Sequence, residues 1–435
     1  MIERASANDL MQRATDVGPL PPQIASVLVL DPGRDVAAEA VASEAVQRLA
    51  GIPRLRQVLR PAPLGCGRAY WADAPHFDAG RHAHVVDAAD PGDEPALLTA
   101  ALGALTAPLP KLRPPWNVTV VRGLAQGRVA IVVVVEHVVV DGVGGLALLE
   151  ALAGPPPKGS RAPRPPPSSG ELARDAWSRR AGAVRRLPGG AHRLIDAAKE
   201  MRAAPPRAVD TPINRATGRQ RALATVQVSL DAVRAGAHAC DATINDALLA
   251  AVLSAMGLAL RRRGNDVEQL SVSIPVSQRG EGASALGNQV GVMPVLLPVP
   301  AIDDDPGAHL RRVSRIVRTR KASASGASSQ VVEPAFRALA GLGVMRWFMD
   351  HQRMVNTIVS NVTGPAREVQ ILGMPVTRMI PISGVYGNVP VGFTAMSYAG
   401  ELVVTVMVDP QLVPDVEALT ADLQHQLDLL AALEP

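Results

Sequence analysis

The chain has 435 residues, 44 Lys and Arg against 40 Asp and Glu, 47% hydrophobic residues and only 3% aromatic ones. That length exceeds what one compact core accommodates, so two units of roughly 150 to 200 residues are expected. So few aromatic rings exclude the base-stacking platforms of single-strand nucleic-acid binders.

Cys66 and Cys240 are far apart with no CxxC spacing, which argues against a disulfide framework or a zinc site and for a reduced, cytoplasmic protein without metal. The start, "MIERASANDLMQRATDVGPL", has no apolar core of a secretory signal. Glu136 and His137 break the best apolar run before it reaches the length of a spanning helix.

Strands are expected at "QIASVLVL", "HAHVVDAA", "WNVTVVRGL" and "RVAIVVVV", and helices at "DVAAEAVASEAVQRLAG" and "DEPALLTAALGALT". Gly123 to Gly127 reads as a short connection joining the last two strands antiparallel. The first unit spans 1–153. Residues 154–209 follow as a Pro-rich, basic linker. Between Gly154 and Arg207 it holds twelve Lys or Arg and four Asp or Glu, more positive surplus than the whole chain's +4. Within it, Leu172, Ala176 and Trp177, then Leu194 and Ile195, have helical spacing. This suits either a basic amphipathic helix on a membrane or lipid droplet, or a connecting helix lying against its own protein. The second unit, 210–435, repeats the α/β theme. Strands are expected at "ALATVQVSL", "LSVSIPVS", "VGVMPVLLPV", "NTIVSNV", "VGFTAMSY" and "ELVVTVMV", and helices at "INDALLAAVLSAMGLALRRRG", near 305–321, and at "DVEALTADLQHQLDLLAAL". Mixed or antiparallel sheets are expected in both units.

Seven apolar residues, Val129 to Val135, run directly into Glu136, His137, three valines and Asp141-Gly142. A run of this kind is a strand buried on both faces, and its end is where a rigidly held group reaches a cleft. Neutral imidazole is the best general base near pH 7. Asp141 at a helix start fixes the loop by capping or ion pairing, and Gly144 and Gly145 leave room for close approach. A solvated or core-edge histidine fits the same pattern.

"EHVVVDGVGG" resembles the HHxxxDG signature of the CoA-dependent acyltransferase superfamily, which includes chloramphenicol acetyltransferase and condensation domains. Four further blocks, in order, are similar to the bacterial wax ester synthase/acyl-CoA:diacylglycerol acyltransferase family. They are "RPPWNVTVVRGL", with Pro115 and Trp116; "ATINDALLAAVLSAM", with Asn245 and Asp246; "SIPVSQRG" followed by "LGNQVGVMPVLLPV"; and "VSNVTGP" with "SYAGELVVTVMVD". The resemblance implies two chloramphenicol-acetyltransferase-like domains with a channel between them. Acyl-CoA would be a substrate, with no cofactor and no nucleic-acid partner. His137 would be the base that activates a lipid alcohol, diacylglycerol or a long-chain alcohol, giving triacylglycerol or a wax ester. Asp141 would be a structural ion-pair residue; Arg279, in the polar loop after "SIPVS", is a candidate partner. Pro115, Trp116, Asn245, Asp246, Ser360 and Asn361 would line the channel or support substrate.

Two departures stand out: Glu136 where the family has its first His, and Pro115 where Leu is usual. A buried carboxylate beside the base would favour imidazolium and weaken it, unless strand alternation turns Glu136 away. Glu136 therefore also fits a weakened lipid- or partner-binding paralogue, and a carrier-protein donor or specialised acceptor fits the same base. The remaining histidines, including His82 and His309, are expected at the surface or core edge.

Overall fold

In a computed structural model of the protein, the described residues are 2–33, 36–110, 113–140, 142–155, 163–184, 207–277, 290–323, 336 and 339–434. The first half gives α1 (Ala7–Ala14), β1 (Gln23–Leu30), α2 (Ala38–Leu49), the ribbon β2 (Gln57–Arg60) and β3 (Tyr70–Asp73), β4 (Ala83–Asp87), α3 (Glu94–Thr106), β5 (Trp116–Arg122), β6 (Val129–Glu136) and α4 (Gly142–Ala153). Next come α5 (Ser169–Val184), β7 (Ala222–Ser229), α6 (Leu230–Ala239), α7 (Ile244–Arg262), β8 (Gln269–Ser277), β9 (Val290–Pro298), α8 (Pro306–Ser323) and α9 (Met345–His351). The chain ends with β10 (Thr357–Thr363), β11 (Gln370–Ile371), β12 (Met374–Ser383), β13 (Val391–Tyr398), β14 (Glu401–Val408) and α10 (Val416–Ala431).

Two six-stranded mixed sheets organise these elements, in the orders β11-β12-β1-β6-β5-β4 and β7-β14-β13-β10-β8-β9. Most neighbours are antiparallel, as expected; β4 with β5 and β10 with both β13 and β8 are parallel. Residues 370–383, from the second half, hydrogen-bond in the first sheet. The sheets therefore do not follow the boundaries at 153 and 210. Sequence reading missed β12 because Pro375 and Pro381 interrupt "MPVTRMIPIS". These prolines are tolerated because β11 covers just Met374 and Pro375 on one side, leaving most of that side an edge.

Alternation explains the packing. On β6, Val129, Ile131, Val133 and Val135 enter a core with α2 and α4, while Ala130, Val132 and Val134 enter a second core with α3. That second core also takes Ile380 and Ile382 from β12 and Val403 and Met407 from β14, so it is shared by both sheets. Leu402, Val404, Val406 and Val408, the other face of β14, pack under the helical layer of α6, α7, α8 and α10. Glu94 of α3 adds a polar tie across the shared core, bonding Arg378 of β12 and Thr225 of β7.

α7 is the one described helix long and apolar enough to cross a membrane by composition, yet its residues from Asp246 to Gly257 are all buried in the protein. α5, the described helix of the linker, packs one side against its own protein. Leu172 and Ala176 are 2% and 5% exposed, and Arg4 holds the helix through Asp175 at 2.8 Å and the Leu172 carbonyl at 2.8 Å. Trp177, grouped with them by spacing, instead projects 66% exposed with the Arg180 guanidinium over its ring. Leu194 and Ile195 lie outside the described residues.

Candidate active site

β6 lies between β1 and β5, hydrogen-bonded antiparallel to both, and its residues from Val129 to Val135 are 0 to 5% exposed. At its end the chain is still held. The Glu136 N–H donates to the Pro115 carbonyl at 2.9 Å, the His137 N–H to the Pro22 carbonyl at 3.1 Å, and the Val139 N–H back to Glu136 at 2.9 Å. Val138, Val139 and Val140 are buried again at 2%, 0% and 0%. The turn is thus pinned on both sides by apolar burial, and its His137 side chain remains half-buried.

Glu136 closes β6 opposite Gln23 of β1. Burial and the neighbouring Asp16 carboxylate push its pKa up, and Arg13 pulls against them. The charges acting on this carboxyl therefore include those of the N-terminal segment, and the shift favours its uncharged form.

The Pro115-Trp116 block supports the turn. The Pro115 carbonyl receives the Glu136 N–H, and Trp116 sits opposite Val135 in the register. Trp116 is fully buried. Its Nε1 donates to the Leu55 carbonyl at 2.7 Å, and its ring stacks on His82 with centroids 4.3 Å apart. His82, expected at the surface or core edge, is 1% exposed; its Nδ1 lies 2.7 Å from the Trp116 carbonyl, and burial pushes its pKa down. A carbonyl accepts, so Nδ1 carries the proton.

Gly142 opens α4, and a Cβ at Gly145 would meet nothing within 4 Å. Asp141 and Arg279, the expected ion pair, lie outside the described residues.

Asn245 and Asp246 begin α7 in the helical layer of the second sheet. Asp246 Oδ2 accepts from the Thr243 N–H at 3.0 Å and hydroxyl at 2.8 Å, completing a capping box, and from Ser314 at 3.1 Å. Those bonds make Asp246 a structural residue. Asn245 is different: its Nδ2 is buried without a hydrogen-bond partner among the described residues. Ser360 and Asn361 lie half-buried on β10. That strand pairs with β13 from Ile358 to Thr363 but with β8 at Thr357 and Ile358 alone, so both residues sit where β8 and β10 have parted.

The structure thus brings Pro115, Trp116, Glu136 and His137 together and places Asn245, Asp246, Ser360 and Asn361 in the second sheet and its helices. Sequence reasoning missed what connects them. Tyr386, after β12, reaches the Gln23 carbonyl at 3.1 Å and the Pro21 carbonyl at 3.4 Å, the segment that also accepts the His137 N–H. Burial raises its phenol pKa, keeping it a donor. The adjoining loop is tied by Arg221, which donates to the Val385 carbonyl at 2.9 Å and pairs with Asp409 at 3.7 Å, both side chains almost fully buried. A charge at each end of an apolar strand run, "RALATVQV" and "VVTVMVD", was the available signal.

The fold is that of the chloramphenicol-acetyltransferase-like class. A wax ester synthase/diacylglycerol acyltransferase from Marinobacter aquaeolei VT8 superposes with a TM-score of 0.70 at 19% identity, covering 98% of both chains. The first condensation domain of the calcium-dependent antibiotic synthetase does so at 0.67 and 18%, covering 100% of this chain and 97% of that one. The wax ester synthase/diacylglycerol acyltransferase catalytic-domain model matches residues 7–248 and the family's C-terminal-domain model residues 286–431, so the chain belongs to this acyltransferase family. A probable diacylglycerol O-acyltransferase of Mycobacterium tuberculosis is 28% identical over 417 residues, 91% of this chain and 88% of the relative.

Proposed function

We propose that the protein transfers a fatty acyl group from acyl-CoA to a lipid alcohol, diacylglycerol or a long-chain alcohol, with His137 as general base. Imidazole takes the proton from the acceptor hydroxyl as its oxygen attacks the thioester carbonyl. The tetrahedral intermediate collapses with cleavage of the C–S bond, and the thiolate takes the proton from imidazolium. Proton and acyl group both balance without a covalent enzyme intermediate. Donor and acceptor would meet in a channel between the two sheets. Asn245, Ser360 and Asn361 are the candidate substrate contacts on the second sheet's side, and Asp141 with Arg279 the supporting ion pair. The observation that carries the reading is a half-buried imidazole on a turn pinned at the end of a doubly buried strand.

Thiol release from long-chain acyl-CoA, with diacylglycerol or a fatty alcohol present, tests it: His137→Ala should lose about 100-fold or more. Turnover of the wild type no higher than that of the variant refutes it. Glu136 favours a second reading, a weakened lipid-binding paralogue. Tight acyl-CoA binding without product, together with severalfold gain in Glu136→His, supports that alternative. A carrier-protein donor is distinguished by comparing the two thioesters directly. The cytoplasmic location and peripheral lipid contact remain part of the proposal. The exposed Trp177 beside Arg179 and Arg180 supports the contact, and flotation with anionic vesicles, lost in Trp177→Ala, tests it.

A further inference from the structure

The turn that carries His137 takes its position from a segment that two prolines stiffen. Pro21 and Pro22 have fixed φ and no N–H to donate, so their carbonyls are the only backbone groups by which they are held. The Pro22 carbonyl accepts the His137 N–H at 3.1 Å, and the Pro21 carbonyl accepts the Gln23 N–H at 2.9 Å. The Tyr386 hydroxyl reaches the same segment, 3.1 Å from the Gln23 carbonyl and 3.4 Å from that of Pro21. Its single proton is shared between those two acceptors. β1 runs between β12 and β6, so the phenol that follows β12 and the turn that follows β6 hold the start of β1 from opposite edges.

The phenol is carried by the other half of the molecule. Residues 384–390 take the chain from β12 in the first sheet to β13 in the second. Bonds from the second unit fix this crossover: Arg221 donates to the Val385 carbonyl at 2.9 Å, the Thr217 N–H to the Gly387 carbonyl at 2.8 Å, and the Asn388 N–H to the Met349 carbonyl of α9 at 3.1 Å. Gly384 makes room for the ring, since a Cβ there would overlap the phenol oxygen. A shift of the phenol is passed on to the Pro22 carbonyl, because the locked φ angles of the two prolines cannot absorb it.

We propose that Tyr386 is a positioning residue for acyl transfer: its hydroxyl sets where the Pro21–Gln23 segment, and through it the His137 turn, stands relative to the second sheet. The proposal rests on His137 as the base. Tyr386 bonds main-chain carbonyls, so it acts through the turn and not on substrate. A misplacement of about 1 Å costs roughly 100-fold in rate, so losing one brace while the proline segment stays in place should cost about 10-fold. Burial keeps the phenol protonated at neutral pH.

Thiol release by the full chain and ¹⁵N-histidine NMR together test the coupling, with the His137 signals identified by their loss in His137→Ala. Tyr386→Phe removes the hydroxyl alone, and Gly384→Ala keeps the hydroxyl but displaces the ring. At a temperature where melts show each variant folded, both should lower kcat about 10-fold, leave KM for acyl-CoA within twofold, and shift the His137 signals. Tyr398→Phe is the control for lost stability. Its hydroxyl donates to the Val376 carbonyl at 2.8 Å, opposite Leu30 and so at the far end of β1 from Gln23. That variant should melt lower and leave both kcat and the His137 signals unchanged. Signals that stay in place in Tyr386→Phe and Gly384→Ala, signals that shift without loss of kcat, or an equal kcat loss in Tyr398→Phe would each overturn the proposal. His137→Ala at wild-type turnover would instead remove the base itself, and the proposal with it; the two failures are distinguishable because the NMR signals need no turnover.

Discussion

Replacing Trp116 by Phe separates a core pillar from a channel wall. The substitution removes the Nε1 hydrogen bond to the Leu55 carbonyl, on a residue 0% exposed, and part of the stack on His82. An acceptor left buried and unpaired costs about 1 to 3 kcal/mol. The lost ring carbons, at roughly 0.8 kcal/mol per buried methylene-sized group, add about 1 to 2 kcal/mol. Together these give about 2 to 5 kcal/mol. For folding units of this size that lowers the melting temperature by about 5 to 15 °C. Circular dichroism melts give the stability, and thiol release at a temperature where both proteins are folded gives KM for acyl-CoA. The structure predicts a large drop in melting temperature with KM changed less than twofold, because Trp116 touches Leu55, His82 and the end of β6 and has no exposed surface. An unchanged melting temperature with a KM raised several-fold would refute this assignment and return Trp116 to the substrate channel.

Three further outcomes follow from the same contacts. Arg221→Met leaves Asp409 buried without its cation and should cost about 3 to 5 kcal/mol by urea denaturation, with the Arg221→Met/Asp409→Leu double variant recovering part of the loss; equal losses in both would contradict the pairing. Asp246→Ala removes the capping box of α7 and should cost about 1 to 2 kcal/mol, whereas a purely substrate-contacting role predicts full stability and altered kinetics. Glu136 has a folded pKa above the ordinary 4.5, so the folded state holds its proton more tightly and ionisation disfavours folding as pH rises through the shifted value. Glu136→Gln should therefore melt higher than wild type at pH 8 and no higher at pH 4. A difference of equal size at both pH values would show that charge is not the cause.

Much of the architecture was legible because the relevant signals are local. The seven-residue apolar run could satisfy its side chains only as a doubly covered strand, and the structure places it at the centre of the first sheet. The spacing Val416, Leu419, Leu423, Leu427, Leu430 is one helical stripe, and all five are buried. Partners distant in sequence carried no such signal. Trp177 shares helical spacing with Leu172 and Ala176, yet which part of α5 is covered depends on Arg4, 171 residues away from Asp175 in sequence. His82 and His309 have no diagnostic neighbours in the chain and were assigned outside the core. Their burial follows from where α2, β5 and Phe77 close over His82 and where the α7–α8 pair closes over His309.

The sequence by itself determined the α/β class, the order of nearly all principal strands and helices, the family, and the emergence of His137 from a buried strand, because periodicity and capping act over a few residues. Tertiary structure alone decided that β12 crosses into the first sheet, that α3 seals a core shared by both sheets, and that Tyr386 braces the segment holding the His137 turn. Those arrangements join surfaces hundreds of residues apart, and they are selected by which apolar faces and unpaired polar groups can be satisfied together once the chain has collapsed.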